Sequence, residues 1–396
     1  MPPTKYTASL KQFVQDHQSE DPAQLLFAYS GKTDFDLKAA VQQIQARQKA
    51  KQKLPSWAAK PDLIFPSSLS LEQASSEETA KFKCGIPTKG KSMVDLTGGF
   101  GVDTFYLAEN FGKAVYCERN PELSAIVEHN FNLLKPDKFE ISQGDSFEYL
   151  AKSDMTFDLI FVDPARRGNH NQKLYKLADC EPDIVSHWEL LKSKGQSILV
   201  KASPMLDIKQ AIIEIPDIQQ VWVVSVKNEV KEVLLYWEKG KVSNERIIHA
   251  IDLKSGGPRE LSFTYEEEES SESIFGEVGK FLIEPYSPIL KAGAFKSFGG
   301  RFGLKKLHPN SHVYTCEVLP DEIPGRIFEL IQEINNPKKE LKQLFPTGKV
   351  NVITRNYALS ADELKKKYRL KDGGDSFLIG TKVGEKYRLF YCNLLG

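Results

Sequence analysis

Apolar and polar positions change their spacing twice along this chain. Over the first 60 residues they follow a helical period. Leu10, Phe13 and Val14 fall on one face, Leu25, Leu26 and Phe27 follow the start signal Pro22, and Leu37, Val41 and Ile44 form another face. From Pro61 onward, short apolar runs alternate with helical stretches, the pattern of βαβ units and a parallel sheet. Strands are predicted over Met93–Leu96, Ala114–Cys117, Glu140–Ser142, Leu159–Val162, Ile198–Lys201 and Val221–Val226. Val233–Trp237 adds a seventh, and its short link from the sixth implies a hairpin closing the edge of five mainly parallel strands.

After Trp237 the texture changes again. Arg246–Leu253 and Glu260–Tyr265 read as paired strands around Gly256, Gly257 and Pro258. The run Glu266-Glu267-Glu268-Glu269-Ser270-Ser271-Glu272 holds no apolar residue and is expected to be an exposed loop or linker. The expected division is therefore a helical N-terminal region (1–60), a Rossmann-like α/β domain (61–270) and a C-terminal α+β domain (275–396).

Bulk properties exclude more than they assign. The 396 residues suffice for two or three domains, and the formal net charge of +0 does not demand a polyanionic partner. The five cysteines, Cys84, Cys117, Cys180, Cys316 and Cys392, are scattered and include no Cys-x-x-Cys pair, so no metal site is expected. Met1 to Leu25 lacks the unbroken apolar core of a signal peptide, and no run approaches the ~18 apolar residues of a membrane helix. The expected location is the cytoplasm, with reduced thiols and no membrane partner.

The chemistry concentrates where strands end. Val94-Asp95-Leu96-Thr97-Gly98-Gly99-Phe100-Gly101-Val102-Asp103 runs from an apolar strand through a glycine-rich turn into a helix. Glycines there permit a tight turn and close approach of a ligand to the backbone. The next strand ends in Glu118, about 20 residues past the glycines, where a carboxylate can take both hydroxyls of an adenosine ribose. The third ends at Gly144-Asp145-Ser146, where an acid can accept the adenine amino group, and the fourth ends in Asp163-Pro164. One such acid alone would be an ordinary helix cap, but four strand ends in order point to an adenosyl ligand. The dinucleotide fingerprint fails, because the position that should hold its third glycine is Thr104. S-adenosylmethionine carries no pyrophosphate, and a strand-end acid such as Asp95 can help hold its amino acid end.

These segments resemble the class I methyltransferases. With Glu72-Gln73-Ala74-Ser75-Ser76-Glu77, Asp163-Pro164-Ala165-Arg166-Arg167, Lys201-Ala202-Ser203-Pro204-Met205-Leu206-Asp207, Asn228-Glu229-Val230-Lys231-Glu232 and Asn351-Val352-Ile353-Thr354-Arg355-Asn356, the likeness narrows. It is to a bacterial family joining that domain to a C-terminal THUMP-like domain of ferredoxin-like α+β type. The resemblance covers most of the chain. It implies S-adenosyl-L-methionine as cofactor and RNA as methyl acceptor, since THUMP-type domains bind RNA. Gln73, Asp95, Thr97, Gly98, Gly99, Phe100, Gly101, Glu118, Asp145 and Ser146 are the expected cofactor residues.

Methyl transfer from a sulfonium is an in-line displacement, so positioning and electrostatics carry the catalysis. Asp163, Pro164 and Arg166 are the expected catalytic residues: the carboxylate can accept a hydrogen bond from the nucleophile, and the proline fixes the local backbone. Methyltransferases of base amino groups usually follow this acid with Pro-Pro-aromatic, and here Ala165 and Arg166 replace the second proline and the stacking ring. Asp163-Pro164-Ala165-Arg166-Arg167-Gly168 also resembles the Asp-Pro-Pro-Arg-x-Gly of RNA uracil-5 methyltransferases, but those need a cysteine after the fifth strand, where this chain has Ala202-Ser203-Pro204. Direct transfer without a covalent cysteine adduct is therefore expected. Arg166 and Arg167 either clamp an RNA phosphate or base or form a solvated loop pair.

A second cationic segment lies in 286–316, with Lys291, Lys296, Arg301, Lys305 and Lys306 among Tyr286, Phe295, Phe298 and Phe302 and no acid. Its cations are expected on a wet face that meets RNA phosphate while the rings fill the core. Arg47–Lys60, with Lys49, Lys51 and Lys53, is the next candidate. Competing readings are a protein or small-molecule methyltransferase, and an RNA adaptor that binds the cofactor without turnover.

Overall fold

Three N-terminal helices begin where side-chain caps begin. Thr7, Asp21 and Asp36 accept backbone N–H bonds at the starts of Ala8–Asp16, Pro22–Tyr29 and Leu37–Lys53. Leu10, Phe13, Val14, Leu25, Val41 and Ile44 form their shared core. Leu26 and Phe27 depart from the predicted face: Leu26 is 39% and Phe27 91% exposed, because this short helix buries little besides Leu25. The computed structural model describes residues 3–166, 176–241, 245–254 and 257–395. Its chain divides into two units, Met1–Gln219 with Val233–Ser243, and Gln220–Glu232 with Asn244–Gly396.

The first unit carries a mainly parallel sheet. Its strands are β1 (Gly90–Asp95), β2 (Phe111–Glu118), β3 (Phe139–Gln143) and β4 (Leu159–Val162), the short antiparallel pair β5 (Ala165–Arg166) and β6 (Cys180–Glu181), and β7 (Ser197–Ala202). Of the next hairpin, β8 (Gln220–Val226) falls in the second unit and β9 (Glu229–Glu238) crosses the boundary, its Val233–Glu238 part pairing antiparallel with β7. The order across the first unit is β9-β7-β4-β1-β2-β3, with β1 parallel to β2 and β4, β2 parallel to β3, and β4 parallel to β7. All four residues of β4 and all six of β7 are buried, as expected for strands covered on both faces. The N-terminal segment joins this core: Ala50, Trp57 and Phe65 pack with Phe100, Phe105, Tyr116 and Phe131.

Arg47 has a structural task. Its guanidinium is buried and donates to the carbonyls of Ala58, Lys60, Pro61 and Leu63, fixing the chain that leads into the sheet. Lys49 pairs with Glu72, and Lys53 donates to the carbonyls of Leu71 and Glu72. Much of the basic Arg47–Lys60 stretch is thus committed within the protein.

In the second unit, the turn Lys227-Asn228, both at positive φ, opens the hairpin that begins with β8. β8 also pairs in parallel with β10 (Ile247–Leu253), which pairs antiparallel with β11 (Arg259–Thr264). The hairpin therefore does not close a sheet edge as the sequence pattern implied. A separate sheet follows from β12 (Phe281–Pro285), β13 (Lys305–Lys306), β14 (Tyr314–Cys316), β15 (Gly325–Glu333), β16 (Asn351–Arg355), β17 (Ser376–Val383) and β18 (Lys386–Leu395), in the order β13-β14-β12-β15-β18-β17-β16. Leu282, Phe328, Ile379 and Phe390 belong to one core cluster of this unit, and Leu341, Val352, Leu364 and Leu378 to another.

The acidic run is not a linker loop. Tyr265–Ser270 is a helix capped by Thr264. Glu268 accepts from the backbone N–H of Phe295, Lys296 and Ser297 and from the Ser297 hydroxyl, so it satisfies the open end of the helix Lys296–Arg301.

Candidate active site

The acids predicted at strand ends sit at the C-terminal edge of the parallel sheet, where open α/β sheets bind ligands. At the end of β1, Asp95 is only 1% exposed. Its Oδ1 accepts from the Thr97 backbone N–H at 2.9 Å, and its Oδ2 from the Thr104 hydroxyl at 2.5 Å. Burial pushes its carboxyl up to about 7, against the pull of those hydrogen bonds. Asp95 therefore ties strand, turn and following helix together from inside. The Thr97 hydroxyl accepts from the Asp163 backbone N–H at 2.6 Å and donates to Asp95, which couples the ends of β1 and β4.

The glycines have separate reasons to be there. A Cβ on Gly98 would stand 2.1 Å from the Tyr116 ring, whose hydroxyl donates to the Gly99 carbonyl at 2.6 Å. Gly101 has φ 75, caps the helix Val102–Leu107, and a Cβ there would strike Phe131 at 2.7 Å. Glu118, ending β2, accepts from the backbone N–H of Gly99 at 3.0 Å and of Asn120 at 2.8 Å. One carboxylate oxygen serves each bond, so each keeps acceptor capacity. Phe100 points into the core, edge-on to Trp57 with ring centroids 5.2 Å apart, so only its backbone belongs to the turn.

Asp145 caps the helix Ser146–Lys152 through the N–H groups of Phe147 and Glu148, and its other oxygen pairs with Arg119 at 2.6 Å. The capping hydrogen bond from Glu148 leads the effects that hold its carboxyl below the usual range. Ser146 is buried at the helix start, and Gln73 is exposed at the end of the helix Ser68–Gln73.

The sequence reading missed a buried charge cluster behind this edge. Lys201, on β7, bonds the Asp163 carboxylate and lies 3.7 Å from Asp103 Oδ2. Lys83, whose side chain is 0% exposed, lies 3.2 Å from Asp103 Oδ1, and Ser75 donates to Asp103 Oδ2 at 2.7 Å. Although burial pushes it up, Asp103 is held below the usual carboxylate range by Lys83 and Lys201. Burial raises Asp163 above its ordinary value, with Lys201 opposing. Two lysines thus serve the acids around Asp163, the carboxylate the sequence offered for catalysis. The signal was faint: Lys83 sits on an ordinary-looking helix, Glu77–Cys84, and Lys201 on an apolar strand.

Pro164 is buried beside Asp163. The Arg166 backbone pairs with Cys180 across β5 and β6, and Arg167 lies outside the described residues. The cations of 286–316 do not form one wet face. Arg301 bonds the Ser262 carbonyl and pairs with Glu267, and Lys296 donates to the Glu269 carbonyl. Lys306 is 4% exposed and donates to the Pro309 carbonyl, and burial lowers its ammonium. Lys291 is half-buried and Lys305 is exposed. Phe298 is fully buried, as expected of core. Glu267, the partner of Arg301, lies outside 286–316, so the pairing was invisible within that segment.

Two family models match the second unit: a ferredoxin-like domain over residues 281–324 and a THUMP domain-like model over residues 325–393. A crystal structure assigned to a methyltransferase of Porphyromonas gingivalis W83 is 34% identical, with TM-score 0.88, and the match covers 98% of each chain. Two uncharacterised S-adenosylmethionine-dependent methyltransferases from strains of Mycobacterium tuberculosis are each 23% identical over 317 residues, covering 79% of this chain and 83% of theirs. A strand-end site of this kind defines a class I methyltransferase. The chain belongs to the family of S-adenosylmethionine-dependent methyltransferases that carry a C-terminal THUMP-like domain. Its cofactor is S-adenosyl-L-methionine, and the residues fit it. Beyond its chain neighbours, the nearest atom to a notional Cβ on Gly99 is the Thr97 carbonyl oxygen at 3.8 Å, and Glu118 keeps acceptor capacity on both oxygens. Among the described residues no helix is long and apolar enough to cross a membrane, and no cluster of metal-ligating side chains occurs.

Proposed function

We propose that this enzyme methylates RNA by direct in-line transfer, with residues 275–396 as its RNA-binding part. One observation carries the reading: a methyltransferase site and a segment matching a THUMP domain-like model occur in one chain. Exposed cations within that segment support it, among them Lys342, Lys349, Lys366, Lys367, Arg369 and Lys371. Lys349 and Lys371 are bridge partners, and the helices Pro337–Leu344 and Ala361–Tyr368 pack together, so these charges come from neighbouring elements.

In this reading the backbone of Thr97, Gly98, Gly99, Phe100 and Gly101 lies along the cofactor, and Glu118 accepts both ribose hydroxyls. Asp145 and Ser146 border the adenine, and Gln73 borders the methionine end. When bound, the sulfonium supplies an activated methyl group. Asp163 receives a hydrogen bond from the acceptor, Pro164 holds the backbone that aims it, and Arg166 and Arg167 meet the RNA. No cysteine adduct is needed: Ser203 follows β7, and Cys117 and Cys180 are buried. Burial pushes the Cys117 thiol up to about 12, far from the thiolate a covalent route uses.

The test is transfer of tritium from labelled S-adenosylmethionine to RNA from cells lacking the gene, followed by nucleoside mass spectrometry. A labelled nucleoside absent from those cells is the expected product. Label entering only protein or small molecules would favour the competing acceptors. Cofactor binding with no transfer to any acceptor would favour an adaptor.

A further inference from the structure

We propose that the methylated atom is a hydroxyl oxygen, the 2′-hydroxyl of an RNA ribose, with Asp163 accepting its proton and Lys201 stabilising the charge on oxygen. This inference rests on the RNA reading above. Its basis is the cation fixed at the expected point of transfer. Lys201 bonds Asp163 and lies 3.7 Å from Asp103, and its side chain is only 10% exposed. The Asp163 side chain is 34% exposed, so the pair opens outward through its carboxylate.

The two kinds of nucleophile respond oppositely to such a cation. An amine nitrogen becomes more positive as its bond to the methyl carbon forms, and an ammonium held nearby opposes that change. A hydroxyl oxygen becomes more negative as its proton leaves, and the same ammonium favours it. The residues after Asp163 agree. A flipped base would normally stack on an aromatic side chain, and Arg166 stands where that ring would be. Within an RNA chain, the hydroxyl presented at every internal nucleotide is the 2′-hydroxyl.

The step balances. The hydroxyl proton passes to the Asp163 carboxylate, and an oxygen lone pair forms the bond to the methyl carbon. The carbon–sulfur bond breaks, and its electron pair stays on sulfur, leaving neutral S-adenosylhomocysteine. The proton is then released to water. Lys83 and Asp103 are positioning residues. The Asp103 carboxylate faces both lysines and accepts from Ser75, which holds Lys201 against Asp163.

The experiment uses the full chain, tritiated S-adenosylmethionine and total RNA from cells lacking the gene. The labelled RNA is hydrolysed in alkali. A 2′-O-methyl group removes the nucleophile that cleaves the neighbouring phosphodiester, so label should appear in alkali-stable dinucleotides. Label in mononucleotides would overturn the inference and leave the RNA reading standing. No label in RNA would overturn both. Lys201→Ala should lower transfer about 100- to 1000-fold with donor affinity near wild type, and Lys201→Arg should recover part of the rate. Undiminished transfer by Lys201→Ala would also overturn it. Lys83→Met removes a cation that lowers Asp163, so the acidic limb of the rate–pH profile should move to higher pH, and Lys83→Arg should restore it. If Lys83→Met leaves that limb in place, Lys83 only supports the fold and the positioning claim fails. The alkali test on the wild-type protein decides the main inference even if these variants do not fold.

Discussion

At the scale of single residues, two strand-end aspartates have different surroundings. Asp163 is partly exposed and bonded to Lys201, whereas Asp95 is enclosed and bonded to Thr97 and Thr104. Asp163→Ala should lower kcat at least about 100-fold while calorimetry finds donor affinity near wild type. Equal loss of both would show that Asp163 holds the cofactor or the fold. For Asp95, the folded carboxyl lies at about 7 against an ordinary 3.8. Folding thus favours the protonated form. The associated stability is complete below pH 3.8 and is lost as pH rises through about 7, by an amount on the order of a few kcal/mol. Asp95→Asn has no such titration and can still accept from Thr97 while donating to Thr104. Its Tm, measured without cofactor, should fall less than that of wild type between pH 4 and 7. Parallel curves would refute the assignment.

Individual elements show where local pattern suffices and where it does not. The turn after β1 was legible because its glycines answer local demands: no room beside Tyr116 at Gly98 and a left-handed backbone at Gly101. Glu118 was legible as a strand-end acid, but its hold on the Gly99 and Asn120 N–H groups was not. Glu118→Ala should weaken S-adenosylhomocysteine binding by roughly 1.5–3 kcal/mol per lost charge-assisted bond, read by calorimetry. Wild-type affinity would remove Glu118 from the cofactor site. The acidic run was misread because composition does not say what a carboxylate will meet. Glu268 meets the N–H groups of a helix that starts 28 residues later, at Lys296. Lys306 and Arg301 were misread for the same reason, one being buried against Pro309 and the other paired with Glu267.

For the whole molecule, a net charge of +0 means that the proposed RNA affinity would have to come from local patches. Replacing Lys366, Lys367 and Arg369 with neutral residues should weaken RNA binding. The slope of log affinity against log salt should fall by about 0.7 per lost contact on single strands, with donor affinity unchanged. An unchanged slope would exclude this surface, and Lys305 would be the next residue to test. The sequence by itself determined the order of strands and helices in the first unit, the glycine turn, the strand-end acids and the class of cofactor. Those features follow from apolar periodicity and from backbone demands satisfied within a few residues. Only the tertiary structure decided which charges are spent internally and which acids share cations. Lys83, Asp103, Asp163 and Lys201 are spread over more than 100 positions of sequence, yet burial gathers them into one cluster. In a low-dielectric interior an ionised group must find a partner, and that partner is chosen by the packing of the sheet and not by its place along the chain.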